Sequence, residues 1–271
     1  MNKKLNELLN VKYPKDILLK SIPIFSPRTE EQREDDKYDM DFKFVDWYAG
    51  LYAYVHITLQ HGGCESLYRT INSIILSHFS KEQEYNFLDI GCGVGRTLYD
   101  LAELFPNSFF VGMDYAYNML ERANQILFSG KKITVDLSND GFGKLEIPSK
   151  NLSKNVTLIQ ADAMNLPFKQ NVFDCVLNTF LIDRLPDPIK SIQQSIEVLK
   201  PNGLFIITDP LNFTEQKLWN SIGSFEKVCK AVEDNGIEII EAFDNLAYKQ
   251  LLDVRGNYRD WKTFVIYGIK K

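Results

Sequence analysis

Residues 87–96 read Phe-Leu-Asp-Ile-Gly-Cys-Gly-Val-Gly-Arg. An apolar strand runs into Gly91, Gly93 and Gly95, and a helix-like segment from Thr97 to Phe105 follows. Glycine lets the backbone turn sharply and come close to a ligand, because no Cβ stands in the way. The helix start beyond offers unpaired N–H groups to negative or polar ligand atoms. The junction therefore predicts a nucleotide-like cofactor. Its spacing is G-x-G-x-G. In the dinucleotide fingerprint a third glycine would fall at position 96, where this chain has Arg96.

Three carboxylates extend the pattern. Asp114 ends the apolar run Phe-Phe-Val-Gly-Met-Asp, about twenty residues beyond the glycines, where a carboxylate can accept both hydroxyls of a ribose. An N-cap for the helix starting near Ala116 is the competing role. Asp162 follows a third apolar run, in Leu-Ile-Gln-Ala-Asp-Ala-Met-Asn-Leu-Pro-Phe. At the C-terminal end of a strand it would face the cofactor crevice and accept from an adenine amino group; the competing role is a turn residue before Pro167. Asp89 lies inside an apolar strand, and a buried carboxylate needs partners. It would orient the glycine loop or receive the ammonium of a bound amino acid.

From Asn86 onward, strand patterns at 86–91, 109–113, 156–161, 172–179 and 203–208 alternate with helical patterns at 96–105, 116–128, 187–199 and 214–235. Apolar runs separated by helices predict a parallel sheet covered on both faces. Strand-like 237–243 and 263–269 would close it as a hairpin around a polar segment. Residues 130–155 break the rhythm with Asn139-Asp140-Gly141, Gly143 and Pro148, and predict an inserted small hairpin. Residues 26–41 are a charged run expected to be solvated. An amphipathic helix over 44–59 and a second one through Leu67 to Phe79 precede the sheet. Trp47, Tyr48, Tyr52 and His56 on the first would either close over a substrate or pack on the sheet.

At 271 residues and 45% hydrophobic content the chain can bury a sizeable core. A net charge of −5 argues against a nucleic-acid groove, which needs a basic footprint. The four cysteines, Cys64, Cys92, Cys175 and Cys229, form no C-x-x-C pair. Neither a disulfide framework nor a metal site is expected, and Cys92 and Cys175 read as small buried side chains. The three histidines are expected mostly at the surface. There is no secretory or membrane-spanning pattern, so a soluble cytoplasmic protein is expected.

Asp89-x-Gly91-x-Gly93-x-Gly95, then Asp114, Asp162-Ala163 and Leu199-Lys-Pro-Asn-Gly203, resembles the class I S-adenosylmethionine-dependent methyltransferases over about residues 80–271. The resemblance implies a doubly wound, Rossmann-like α/β fold. Its seven-stranded sheet is mostly parallel with an antiparallel last strand, here Lys262 to Lys271. The resemblance also implies S-adenosylmethionine as methyl donor. Residues 1–80 would form an N-terminal helical cap and 81–271 the cofactor domain. The implied cofactor contacts are Asp89, Gly91, Gly93, Gly95, Arg96, Asp114, Tyr115, Asp162, Ala163 and Asn178. A narrower resemblance, to the carnosine N-methyltransferase group, rests on Asn178-Thr-Phe-Leu-Ile-Asp183 and Thr208-Asp-Pro-Leu211. In that group the residue matching Asp183 holds the acceptor imidazole. The continuation Arg184-Leu-Pro-Asp-Pro departs from that group and is as close to other small-molecule methyltransferases.

Transfer to a small molecule or short peptide, at nitrogen, is the expected activity. Asp183 and His56 are the candidate catalytic residues; Trp47, Tyr48, Tyr52 and Asp183 would meet the acceptor. Hydroxyl and thiol acceptors stay open, with His56 or His61 as base for a hydroxyl. Two readings from other classes also stay open. One is a nicotinamide-dependent oxidoreductase, for which Tyr258-x-x-x-Lys262 is the wrong distance along the chain. The other is a protein that binds the cofactor without catalysis.

Overall fold

The computed structural model describes residues 3–14, 17–18, 22–34, 42–50, 65–152 and 154–271. Five helices and two short strands come first or flank the glycine loop: α1 (Lys3–Leu8), β1 (Ile17–Leu18), β2 (Ile22–Pro23), α2 (Glu30–Glu34), α3 (Phe42–Tyr48), α4 (Glu65–His78) and α5 (Arg96–Leu104). The main sheet is built from β3 (Asn86–Ile90), β4 (Phe109–Asp114), β7 (Val156–Gln160), β8 (Phe173–Thr179), β9 (Leu199–Asp209), β10 (Ile237–Leu251) and β11 (Tyr258–Lys270). The strand order is β10-β11-β9-β8-β3-β4-β7. Neighbours from β9 to β7 run parallel, and β11 runs antiparallel to both β9 and β10. The doubly wound sheet with one antiparallel strand is the expected one. The order reverses at β3, next to β8, which is where an open α/β sheet leaves a crevice beyond its strand ends.

Alternation along each strand feeds two apolar layers. Phe87, Phe110, Cys175, Leu177 and Ile206 pack against α4, α5 and α6 (Tyr117–Phe128). Leu88, Ile90, Val111, Val176 and Ile207 face α1, α7 (Pro188–Val198), α8 (Gln216–Ile222) and α9 (Phe225–Asp234). Local chemistry fixes the helix ends. Asp187 caps α7 by accepting from Lys190 N at 3.0 Å, and Pro188 fills the first helical position, which needs no N–H. The expected single helix over 214–235 is two, α8 and α9. Gly223 ends one, and Ser224 caps the next by accepting from Lys227 N.

Residues 130–155 contain the expected hairpin, β5 (Ile133–Leu137) paired with β6 (Gly143–Ile147), and Gly141 turns at φ 84°. The closing hairpin is longer than its apolar ends suggest. Leu246–Leu251 pairs with Tyr258–Thr263 beyond the reach of β9. This arm is bent by a bulge after Phe243, with Asn245 at φ 61°. Tyr248 is fully buried against Phe180, with ring centroids 4.8 Å apart. At its tip, Val254 N donates to Asp140 O at 3.0 Å. The arm thus walls in the crevice from the side of the 133–147 hairpin. Among the described residues, no helix is long and apolar enough to cross a membrane.

Candidate active site

The glycine loop folds back over the end of β4. Gly91 N and Cys92 N both donate to Met113 O at 2.9 Å, and Gly95 N donates to Cys92 O at 2.8 Å. Gly91, Gly93 and Gly95 have φ of 75°, 52° and 82°, the left-handed region that a Cβ penalises. At Gly93 an added Cβ would meet only Tyr48, at 3.7 Å, so it would fill open cavity rather than core. α5 starts directly after Gly95, and Arg96 and Thr97 of its first turn line the same cavity.

Asp114 does not cap α6, whose N-cap is Ala116, but turns the chain into it. Gly93 N donates to its Oδ2 at 2.8 Å and Ala116 N to its Oδ1 at 2.9 Å. The carboxylate thereby ties the glycine loop to the start of α6. Tyr115, next along, is half-exposed, with the Arg28 guanidinium 4.4 Å above its ring. Asp162 accepts from Met164 N at 2.8 Å, and its own N–H donates to Ser26 Oγ at 3.1 Å. Ala163 beside it is buried.

Asp89 is 1% exposed, and among the described residues neither of its carboxylate oxygens has a hydrogen-bond partner. Burial, with Asp114 nearby, pushes its pKa up to about 7. It lines a cavity together with Gly91, Gly93, Arg96, Tyr48, Tyr68 and Thr179. The Thr179 hydroxyl is likewise buried with no partner among the described residues. An orphaned carboxylate costs stability unless a ligand answers it. The cradle left by Gly93 and the orphans at Asp89 and Thr179 therefore fit a ligand carrying an ammonium and hydroxyl groups. Arg96 belongs to the same wall. It pairs with Asp100 at 2.7 Å and lies 4.8 Å over the Tyr68 ring.

Other sequence candidates fall elsewhere. Asn178 sits on the opposite face of β8, donating to Ser191 Oγ at 3.4 Å, because strand neighbours alternate. Thr179, one residue on, is the member of that pair facing the cavity, and sequence reasoning missed it. Asp183 is buried in the turn Ile182–Arg184, against the segment after β9. Its Oδ2 accepts from Asn212 N, and its N–H donates to Asp209 Oδ2, both at 3.3 Å. Asp209, fully buried and also missed, accepts from Leu211 N at 2.7 Å. Burial and the Asp183 charge hold its carboxyl well above the usual range. Two loops at the rim are thus clasped to each other by reciprocal carboxylates. Tyr48 lines the cavity, whereas Trp47 packs on the core and stacks with Phe44 at 5.7 Å. Arg122 on α6 pairs with Asp46 and docks α3 in place. Tyr52, His56 and His61 lie outside the described residues. His78 is exposed, and Cys92 and Cys175 are buried free thiols.

The fold matches what comparison with known proteins finds. The chain belongs to the methyltransferase-domain family, which it matches over residues 81–256. The family and the fold imply S-adenosylmethionine as methyl donor. A demethylmenaquinone methyltransferase of Lactococcus lactis subsp. lactis is 31% identical over 119 residues, 44% of this chain and 39% of that protein. The chain thus spans about two fifths of that relative's length. A putative methyltransferase of Bacillus halodurans C-125 superposes with a TM-score of 0.52 at 14% identity, covering 76% of this chain and 99% of the other. The cyclase SpnF superposes with a TM-score of 0.53 at 16% identity, covering 84% and 96%. One fold carries both named reactions, so the reaction must be argued from the site.

Proposed function

We propose that this chain transfers a methyl group from S-adenosylmethionine to a nitrogen of a small molecule or short peptide. The observation that carries the reading is the Asp89 carboxylate under the glycine loop, buried with no partner among the described residues. In this reading Asp89 takes the ammonium of the cofactor's amino-acid end, Asp114 the ribose hydroxyls, and Asp162 the adenine amino group. When bound, S-adenosylmethionine supplies a methyl group already activated on a sulfonium. The protein's share is then alignment and exclusion of water. Residues 1–80 act as a cap over the 81–271 core, and Tyr48 closes over Gly93. Tyr48, Tyr68 and Phe180 line the same cavity. Positive charge grows on a nitrogen as it gains a methyl group, and aromatic faces stabilise such a cation. A neutral amine or imidazole arrives with a free lone pair, so no base has to ionise it first. Asp183 supports the acceptor through the rim it clasps, and Asp183→Ala should lower kcat about tenfold while leaving S-adenosylhomocysteine affinity within twofold. Equal losses in both would remove it from the acceptor side.

A carbon acceptor is the second reading, favoured by the relatives named demethylmenaquinone methyltransferases. Labelled methyl transfer separates the two when small amines, histidine-containing dipeptides and demethylmenaquinone are offered in parallel. Label is expected in an amine or imidazole. Label in demethylmenaquinone alone overturns the nitrogen acceptor. Binding of the donor without label in any compound or cell-extract fraction overturns the enzymatic reading.

A further inference from the structure

Residues 22–33 precede the matched family region, yet they reach its cofactor crevice. Ile24 bridges Gln160 in parallel, and Phe25 N donates to Gln160 O at 2.8 Å, so the segment extends the sheet beyond β7. The Gln160 side chain is fully buried. It accepts from Ser26 N at 3.1 Å and donates to Tyr115 O at 3.2 Å. Ser26 Oγ takes the Asp162 N–H. Arg28 N donates to the Tyr117 hydroxyl at 3.3 Å, and Arg28 Nη1 donates to Tyr115 O at 3.3 Å. The Arg28 and Arg33 guanidiniums lie 4.4 and 4.6 Å over the rings of Tyr115 and Tyr117. Thr29 and Gln32 exchange side-chain-to-backbone hydrogen bonds at 3.2 and 3.0 Å, a capping box that starts α2 directly after Arg28. Both backbone corners assigned to the adenosine half, 114–115 and 162–163, are therefore held by one strap.

We infer that this strap is part of the cofactor site, with Arg28 a positioning residue that holds Tyr115 for the adenosine half of S-adenosylmethionine. The inference rests on the methyltransferase reading above. Binding and docking are reciprocal: a ligand that needs Tyr115 and Asp162 in place stabilises the docked strap, and loosening the strap weakens the ligand by the same factor. The strap carries its own reporter. Trypsin cuts after Arg28 only when the segment leaves the sheet edge.

The test measures S-adenosylhomocysteine binding by calorimetry in the full chain, its Arg28→Ala, Arg28→Lys and Ser26→Ala forms, together with tryptic cleavage after Arg28 in the unaltered chain. Arg28→Ala should weaken binding about five- to tenfold, the scale of a lost cation–π and hydrogen-bond contact. Arg28→Lys should recover part of that loss, and Ser26→Ala should weaken binding severalfold. Saturating S-adenosylhomocysteine should slow cleavage after Arg28 at least fivefold. Unchanged affinity in both alanine variants, or unchanged cleavage, overturns the strap while leaving the methyltransferase reading standing. Failure of the unaltered chain to bind S-adenosylhomocysteine overturns both.

Discussion

Asp114→Ala should weaken S-adenosylhomocysteine binding about a hundredfold, or roughly 3 kcal/mol. Two losses combine. In the proposed complex the carboxylate makes charge-assisted bonds to the ribose, each stronger than a neutral hydrogen bond. The same oxygens hold Gly93 N and Ala116 N, so the alanine form also frees the glycine loop from the start of α6. Asp114→Asn keeps one carbonyl oxygen and should fall between the two. Calorimetric titration checks this, and a loss below threefold in the alanine form would take Asp114 out of the cofactor site.

Asp89→Asn should weaken binding about thirtyfold, near 2 kcal/mol, because an amide cannot pair an ammonium as a carboxylate does. Its pH dependence gives a sharper signature. Asp89 titrates near 7 in the folded protein and near 3.9 when unfolded. The folded state therefore holds the extra proton between about pH 4 and 7. The resulting contribution to stability is complete below about 4 and is lost as pH rises through 7. Unliganded protein should therefore lose stability along this limb, and Asp89→Asn should remove the limb. Binding runs the other way. A ligand ammonium prefers the ionised carboxylate, so affinity should rise with pH up to about 7, by as much as tenfold per unit, and then level off. In Asp89→Asn that rise should vanish. Thermal melts and titrations at pH 6 and pH 8 measure both effects.

The glycine loop and the carboxylates around it were legible because they depend on backbone. Glycines at alternate positions and carboxylates at strand ends follow from turn sterics and strand length, which sequence displays directly. Which strand side chains face the cavity was not legible. Thr179 and Asn178 are adjacent, and only strand parity decides which faces the crevice. Asp89 and Thr179 share a face once β3 and β8 are in register, with Asp89 opposite Leu177. The arm at 246–263 was hidden because Lys249, Asp260 and Lys262 interrupt its apolar alternation, although Tyr248 between them is fully buried. The strap was hidden for a related reason. Residues 27 and 29–32 are exposed, as their charge suggests, but Arg28 and Arg33 are half-buried and lie over tyrosines that come much later in the chain. No local pattern announces a partner that distant.

That distance has a consequence for assembly. Ser26 and Gln160 are 134 positions apart, and the edge that receives the strap exists only once β7 has paired with β4. The strap is made before the edge on which it docks. Closing so long a loop is slow compared with the local pairing of β3 and β4. While the chain is being made, Ile22 and Phe25 wait uncovered, and the adenosine corner stays unfinished until they arrive. In the strap proposal, competence to bind cofactor waits on this docking step, the return of a segment made before the edge that receives it.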